Sequence, residues 1–259
     1  MLAAALTLAA CSGDDDDKDA AAKNQPLEVL YDKALTSFKD HHFKQAIDDF
    51  EEVERQYPYS EWAGRAELMA AYSGFRGGQF DDAVAILDRY VKLHPTDRDT
   101  PYALYLKAMC YYTQITDVGR DQKITEDARD ALRDLVARYP DSPYARDGKI
   151  KLDLVEDHLA GKEMTIGRYY ERHDEYAAAI SRFSFVIKNF QTTSHVPEAL
   201  HRLVECYLRL GVVEEAKRYA AVLGYNYPDS DWYKYSYEMI KGNLSPEEKQ
   251  SFTDRHFKL

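Results

Sequence analysis

Past Pro26 the chain repeats one spacing of apolar positions five times. A bulky residue is followed three places later by Ala, four places after that by another apolar residue, and twelve places after the Ala by Pro. Phe43, Ala46, Phe50 and Pro58 meet the pattern in full, as do Phe80, Ala83, Leu87 and Pro95. Thr125 takes the first place before Ala128, Leu132 and Pro140. Tyr176, Ala179 and Phe183 match, with Gln191 standing where Pro is expected, and Val213, Ala216, Ala220 and Pro228 complete the set. Steps of three and four put these side chains on one face of an α-helix. The Ala lets a second helix approach closely, and the Pro ends the helix it follows. Gly167 and Tyr170, and Leu203 and Tyr207, fill small or large apolar places on the preceding helices. Gly78 and Gly211 fall at the turns between helices.

Successive key Ala residues lie 37, 45, 51 and 37 apart. The excesses locate two insertions. One is the polar run Thr113 to Lys123, between a helix at Tyr102–Tyr112 and a helix around Ala128. The other is an extra helical stretch from Tyr144 to Leu159, so Tyr144 to His173 is expected to form one long helix. Trp232 to Ile240 is expected to cap the last repeat, and Ser245-Pro246-Glu247-Glu248 to start a further short helix.

The repeat resembles the 34-residue tetratricopeptide unit, a pair of helices whose second member ends near a Pro. The expected fold is all-α: a tetratricopeptide-repeat α-solenoid of about five helix pairs, with a long helix between repeats three and four. The expected divisions are a signal peptide at 1–10, a lipidated Cys and acidic linker at 11–26, repeats one to three at 27–143, the long helix and repeats four and five at 144–230, and a cap and tail at 231–259.

Composition narrows the function. A net charge of -11 argues against a nucleic-acid backbone as partner. The 21 tyrosines suit half-buried repeat faces and peptide-binding surfaces. Cys110 and Cys206 sit in apolar helical surroundings and read as small buried hydrophobes. The adjacent His41 and His42 lie at a turn without further ligands, so no metal is expected. Gly74, Gly77 and Gly78 follow no strand and form no dinucleotide loop. No nucleophile–base pattern is present, so neither catalysis nor a cofactor is expected. Scattered Asp/Glu–Lys/Arg pairs read as ordinary helix-surface charges.

Met1 to Ala10 is a short apolar run ending in small residues, and a membrane span needs about 20 apolar residues. Leu8-Ala9-Ala10-Cys11 resembles a bacterial lipobox. That resemblance makes Cys11 the acylated residue and the chain a lipoprotein, each buried CH₂ of the acyl chains contributing roughly 0.8 kcal/mol to anchoring. Ser12, in place of an Asp, favours the outer membrane by the same analogy. Asp14 to Lys18 and the polar stretch to Gln25 are expected to be a flexible tether.

A sharper resemblance rests on Phe43-Lys44-Gln45-Ala46-Ile47, Tyr57-Pro58-Tyr59-Ser60, Asp88 to Pro95, Tyr102-Ala103-Leu104-Tyr105, Tyr139 to Ala145 and Arg168-Tyr169-Tyr170. From about Leu27 to Ser230, with the lipobox, the chain is similar to the BamD family, lipoprotein subunits of the outer-membrane β-barrel assembly (BAM) complex. The resemblance implies a scaffold on the periplasmic face of the outer membrane. Its partners would be the POTRA domains of BamA, the other BAM lipoproteins and unfolded outer-membrane proteins. Lys44, Tyr57, Pro58, Tyr59 and Trp62 are the candidate substrate-binding residues, an apolar patch with a cation near it. Arg182, next to core Phe183, is the candidate BamA contact, where a paired carboxylate fits a guanidinium. A pilotin-like repeat lipoprotein that escorts a secretin is the alternative; it would lack the long helix.

Overall fold

The computed structural model describes residues 25–242, and their regular structure is α-helical throughout. The helices are α1 (Leu27–Lys39), α2 (Phe43–Gln56), α3 (Glu61–Gly77), α4 (Phe80–Leu93), α5 (Thr100–Tyr112), α6 (Lys123–Arg138), α7 (Pro143–Arg172), α8 (Tyr176–Asn189), α9 (Val196–Arg209), α10 (Val213–Asn226) and α11 (Asp231–Lys241). They give five A–B pairs followed by a capping helix. The further helix expected after Ser245 lies outside the described residues.

The five key alanines Ala46, Ala83, Ala128, Ala179 and Ala216 are fully buried, as are Phe50, Leu87, Leu132 and Phe183 four places on. Burying one such large side chain contributes roughly 1.5–3 kcal/mol. In four of the pairs the turn between helices is set five residues before the Ala. His41, Gly78, Asp174 and Gly211 stand there with φ of 64°, 75°, 59° and 75°. Only Gly adopts this left-handed backbone freely, which is why two of the four turns show in the sequence. The third pair has no such turn, because the insertion at 113–122 occupies its place.

The chain divides into two compact units between Cys110 and Tyr111. The division falls inside the third repeat, whereas the repeat pattern groups residues 27–143. The first unit holds α1 to α4 and most of α5 around one core, with Phe50, Leu87, Tyr90, Ala103, Leu106 and Cys110 among its buried members. Two polar ties brace it. Asp49 accepts from Ser37 at 2.7 Å, Gln45 at 2.9 Å and Lys33 at 2.8 Å. Burial pushes its carboxyl upward, but these donors hold it below the ordinary carboxylate range. Arg89 joins buried Glu67 at 2.9 Å and Glu54 at 2.8 Å, linking α4 to α3 and α2.

In the second unit α7 packs against α6 and α8, and α9 against α8, α10 and α11. The sequence places the long helix at Tyr144 to His173, and it spans Pro143–Arg172, about 45 Å at 1.5 Å per residue. Ser142 starts it: its hydroxyl accepts from the Ala145 N–H, and Pro143 needs no N–H partner in the first turn. The polar insertion is tied to α7, where the Lys162 ammonium donates to the Gly119 and Arg120 carbonyls at 3.0 and 3.2 Å. The loop before α9 is held by Asp157, which accepts from the Ser194 hydroxyl and N–H at 2.7 and 3.0 Å. The capping helix starts at Ser230, whose hydroxyl accepts from the Tyr233 N–H.

Candidate functional site

Tyr57 ends α2, and the same backbone device ends every B helix. Tyr57, His94, Tyr139, Phe190 and Tyr227 each follow the key Ala by eleven places, with φ between -135° and -124°. The carbonyl of each accepts from the N–H three residues on. Tyr57 and Pro58 are therefore first of all joints between repeats. The Tyr57 ring packs on the core of the first unit, and its hydroxyl donates to the Gln25 carbonyl at 2.6 Å. Pro58 is exposed in the turn.

Two of the candidates offer surface. Tyr59 is fully exposed at 102%, and Trp62 opens α3 at 37%. The Trp62 ring stands edge-on to Tyr31 at 4.8 Å, and Tyr31 stands edge-on to buried Phe50 at 5.4 Å. The Trp62 side chain is thus fixed against the core while its outer face stays open.

Lys44 does not join this patch. The sequence places it in the turn region as the nearby cation, but it is the second residue of α2 and Tyr57 follows that helix. A separation of 13 residues along one helix is about 20 Å. Lys44 instead lines a surface depression with His41, His42, Asp48 and Gln79.

The cation beside Trp62 is Arg65, its guanidinium carbon 5.8 Å from the ring centroid. One turn beyond comes half-buried Met69, then Tyr72, with Arg76 5.9 Å from the Tyr72 ring and 5.9 Å from the Phe43 ring. Trp62, Arg65, Met69, Tyr72 and Arg76 thus form one stripe at helical spacing, about 21 Å long. Arg65 and Arg76 are absent from the described ion pairs, as are Arg120, Arg146, Arg172 and Arg209, but the α3 pair stands against aromatic rings. The signal was present in the sequence as the steps 62, 65, 69, 72 and 76.

Arg182 points outward from α8 as expected, with its side chain 43% exposed, and donates to Glu163 of α7 at 3.1 Å. A partner's carboxylate would compete with Glu163 for it. Arg168 binds both oxygens of Glu198 at 3.0 and 3.1 Å, and Tyr170, expected in the core, is half-buried. Cys110 and Cys206 are buried thiols, both pushed upward by burial, Cys110 to about 12. Cys11 lies outside the described residues.

One reading from the sequence is overturned. Glu198, Arg202 and Glu205, spaced like surface ion pairs, lie on the buried side of α9, where Arg202 is 3% exposed. The reason is cover: α7 closes over these charges, and α11 covers His201 on the same helix through Ser236 and Trp232.

Buried alanines, left-handed turns and aromatic helix ends define the class: a tetratricopeptide-type protein of α-helical pairs. A family described as YfiO, outer membrane lipoprotein, matches residues 23–223. The chain is 48% identical over 239 residues to the outer membrane protein assembly factor BamD of Caulobacter vibrioides, covering 92% of this chain and 78% of that protein. It is 45% identical over 241 residues to the BamD of Rickettsia prowazekii, covering 93% and 95%. Against the BamD of Neisseria meningitidis serogroup A it is 30% identical over 245 residues, covering 90% and 92%. The chain belongs to the BamD family.

Proposed function

We propose that this chain is a scaffold subunit of the machinery that assembles β-barrel proteins into the outer membrane, and that it works by presenting polypeptides rather than by catalysis. The observation that carries this is the α3 stripe. The exposed Trp62 and the half-buried Met69 and Tyr72 alternate with two guanidiniums that lack carboxylate partners among the described ion pairs. An extended chain rises about 3.3 Å per residue, so the 21 Å stripe matches about six residues of an unfolded barrel segment. Apolar side chains would lie on Trp62, Met69 and Tyr72, and carboxylates would meet Arg65 and Arg76.

The second unit is the reading's site for BamA, with Arg182 meeting a POTRA carboxylate. Acylation at Cys11 would hold the scaffold to the periplasmic face of the outer membrane, raising its effective concentration beside BamA and the other BAM lipoproteins. The names of the relatives support the assembly role. Detergent purification of the tagged full-length chain tests it. Co-elution of BamA is expected, and recovery of a secretin without BamA would overturn the reading in favour of a pilotin-like role.

A further inference from the structure

The packing of α9 against α7 encloses unequal numbers of acidic and basic side chains. α7 supplies Arg168 and Glu171; α9 supplies Glu198, Arg202 and Glu205. Arg202 Nη1 lies 2.7 Å from Glu205 and 3.4 Å from Glu171, and its Nε lies 3.6 Å from Glu198. Arg168 holds Glu198 from the other side at 3.0 Å. The three carboxyl side chains are at most 15% exposed. Three carboxyl groups therefore face two guanidiniums.

The remaining neighbours include a positive charge, Arg209 of α9, but it acts on Tyr176 of α8. The Cys206 thiol of α9 donates to Glu171 at 3.8 Å, and burial raises it far above its ordinary value. His201 of α9 lies 3.6 Å from Glu205, and burial depresses it to about 4. From α11, the Ser236 hydroxyl meets His201 Nδ1 at 2.8 Å and the Trp232 ring stands 5.1 Å away. From α8, the Tyr176 hydroxyl donates to Asp174 and feels the Arg209 guanidinium more than the Cys206 thiol. An unmatched charge inside such a joint costs several kcal/mol, so the count is balanced by a proton.

We propose that the α7–α9 joint of the second unit is a proton-dependent latch, closed with one proton shared between Glu171 and Glu205 and loosened when that proton leaves. The two carboxyl groups converge on one nitrogen, Arg202 Nη1, at 2.7 Å from Glu205 and 3.4 Å from Glu171. Burial pushes Glu171 up, Arg202 opposes it, and Glu205 and Glu198 push further, to about 8. Burial pushes Glu205 up as well, but His201, Arg202 and the shared proton hold it below the ordinary range. The closed joint keeps its proton up to about pH 8, whereas solvated Glu171 releases it near 4.5. Closure is thus favoured as pH falls between these values, by about tenfold in the opening constant per pH unit. Below about 6.5 the gain is cancelled, because His201 takes up a proton when the joint opens. α8 packs on both helices, so the latch acts on the helix that carries Arg182.

Hydrogen exchange of the α9 amides in the full-length chain, corrected for intrinsic rates, tests this. The opening constant is expected to rise about tenfold per unit from pH 6.5 to 8 and to level off above 8. Glu171→Gln removes the rise, and Glu205→Gln does the same through the partner carboxyl should the first variant fail to fold. A flat profile in the unaltered chain, or a rise that survives both substitutions, would overturn the latch.

Discussion

Gly167 of α7 lies directly beneath the ring of Phe183 of α8: a Cβ at 167 would stand 2.5 Å from Phe183 Cε1 and 2.9 Å from two further ring carbons. Phe183 is fully buried, so its ring has no free volume to move into. Gly167→Ala gains up to about 1 kcal/mol of helix propensity. It forces the ring aside at a cost of about 1–3 kcal/mol, and the net expectation is destabilisation. Gly148 provides the control. A Cβ there first meets Leu135 Cδ2 at 3.1 Å, the end of a flexible side chain. Denaturant midpoints of both variants check the ordering; Gly148→Ala losing more than Gly167→Ala would contradict it.

The same pair shows why the repeat was legible. A Gly sixteen places before a Phe reads as a close helix crossing only when Ala179 and Tyr176 flank it, and five copies of the pattern supply that context. The pattern also tolerates a missing mark. Gln191 replaces the expected Pro, yet Phe190 keeps the backbone of the other B-helix ends and accepts from the Thr193 N–H. His41 and Asp174 mark left-handed turns more weakly than Gly does, because Asp and His are enriched at positive φ but adopt it uncommonly. Lys44 stands beside the A–B turn, as its place in the sequence implies, but the whole of α2 separates it from Tyr57. Glu198, His201, Arg202 and Glu205 sit at the i, i+3, i+4 and i+7 steps of an exposed charged face. Only the covering positions of α7 and α11, set by the long insertion and by the cap, bury them.

The α3 stripe predicts separable losses of peptide binding. Arg65→Glu and Trp62→Ala should each weaken an unfolded barrel segment bearing aromatic and acidic residues by about 5–30-fold, the range of a central contact residue. Arg76→Glu should act similarly from the far end. Lys44→Glu, beside the Phe43 that Arg76 meets but a whole helix away from Trp62, should cost less than Arg65→Glu. Fluorescence anisotropy with a labelled segment of six to ten residues measures all four; equal losses at Lys44 and Arg65 would remove the stripe from the reading.

Tyr57 separates structure from recognition. Tyr57→Phe removes only the hydroxyl that donates to Gln25, a hydrogen bond worth about 0.5–1.5 kcal/mol at a partly exposed position. Its ring and its helix-ending backbone remain. Thermal melting should shift slightly while segment binding stays unchanged. Tyr59→Ala, fully exposed, should leave melting untouched and weaken binding. The reverse pattern would assign recognition to the wrong tyrosine.

Arg182→Glu should reduce co-purification of BamA far more than Lys44→Glu. The new carboxylate would also face Glu163, so a local structural loss must be distinguished from a lost contact. Combining Arg182→Glu with Glu163→Lys restores an ion pair between α7 and α8 with its polarity reversed. If Arg182 meets the partner directly, the double variant regains stability but not BamA. Regaining both would make the residue a brace of the second unit and nothing more.

His201 carries the last prediction. Its folded value, depressed to about 4, lies below the ordinary 6.5, so the unfolded chain binds more protons between those values. Stability from this residue is therefore present above 6.5 and lost as pH falls towards 4, by about 1.4 kcal/mol per unit. Glu171 works in the opposite sense from about 8 down to 4.5, so the α9 joint should gain stability from pH 8 to 6.5 and then hold level. His201→Gln can still hydrogen-bond Ser236 but does not titrate. In that variant the gain should continue below 6.5 as far as about 4.5, read by hydrogen exchange at α9. A variant whose profile levels off at 6.5 like the unaltered chain would mean that another group, and not the imidazole between Ser236 and Glu205, takes up the opposing proton.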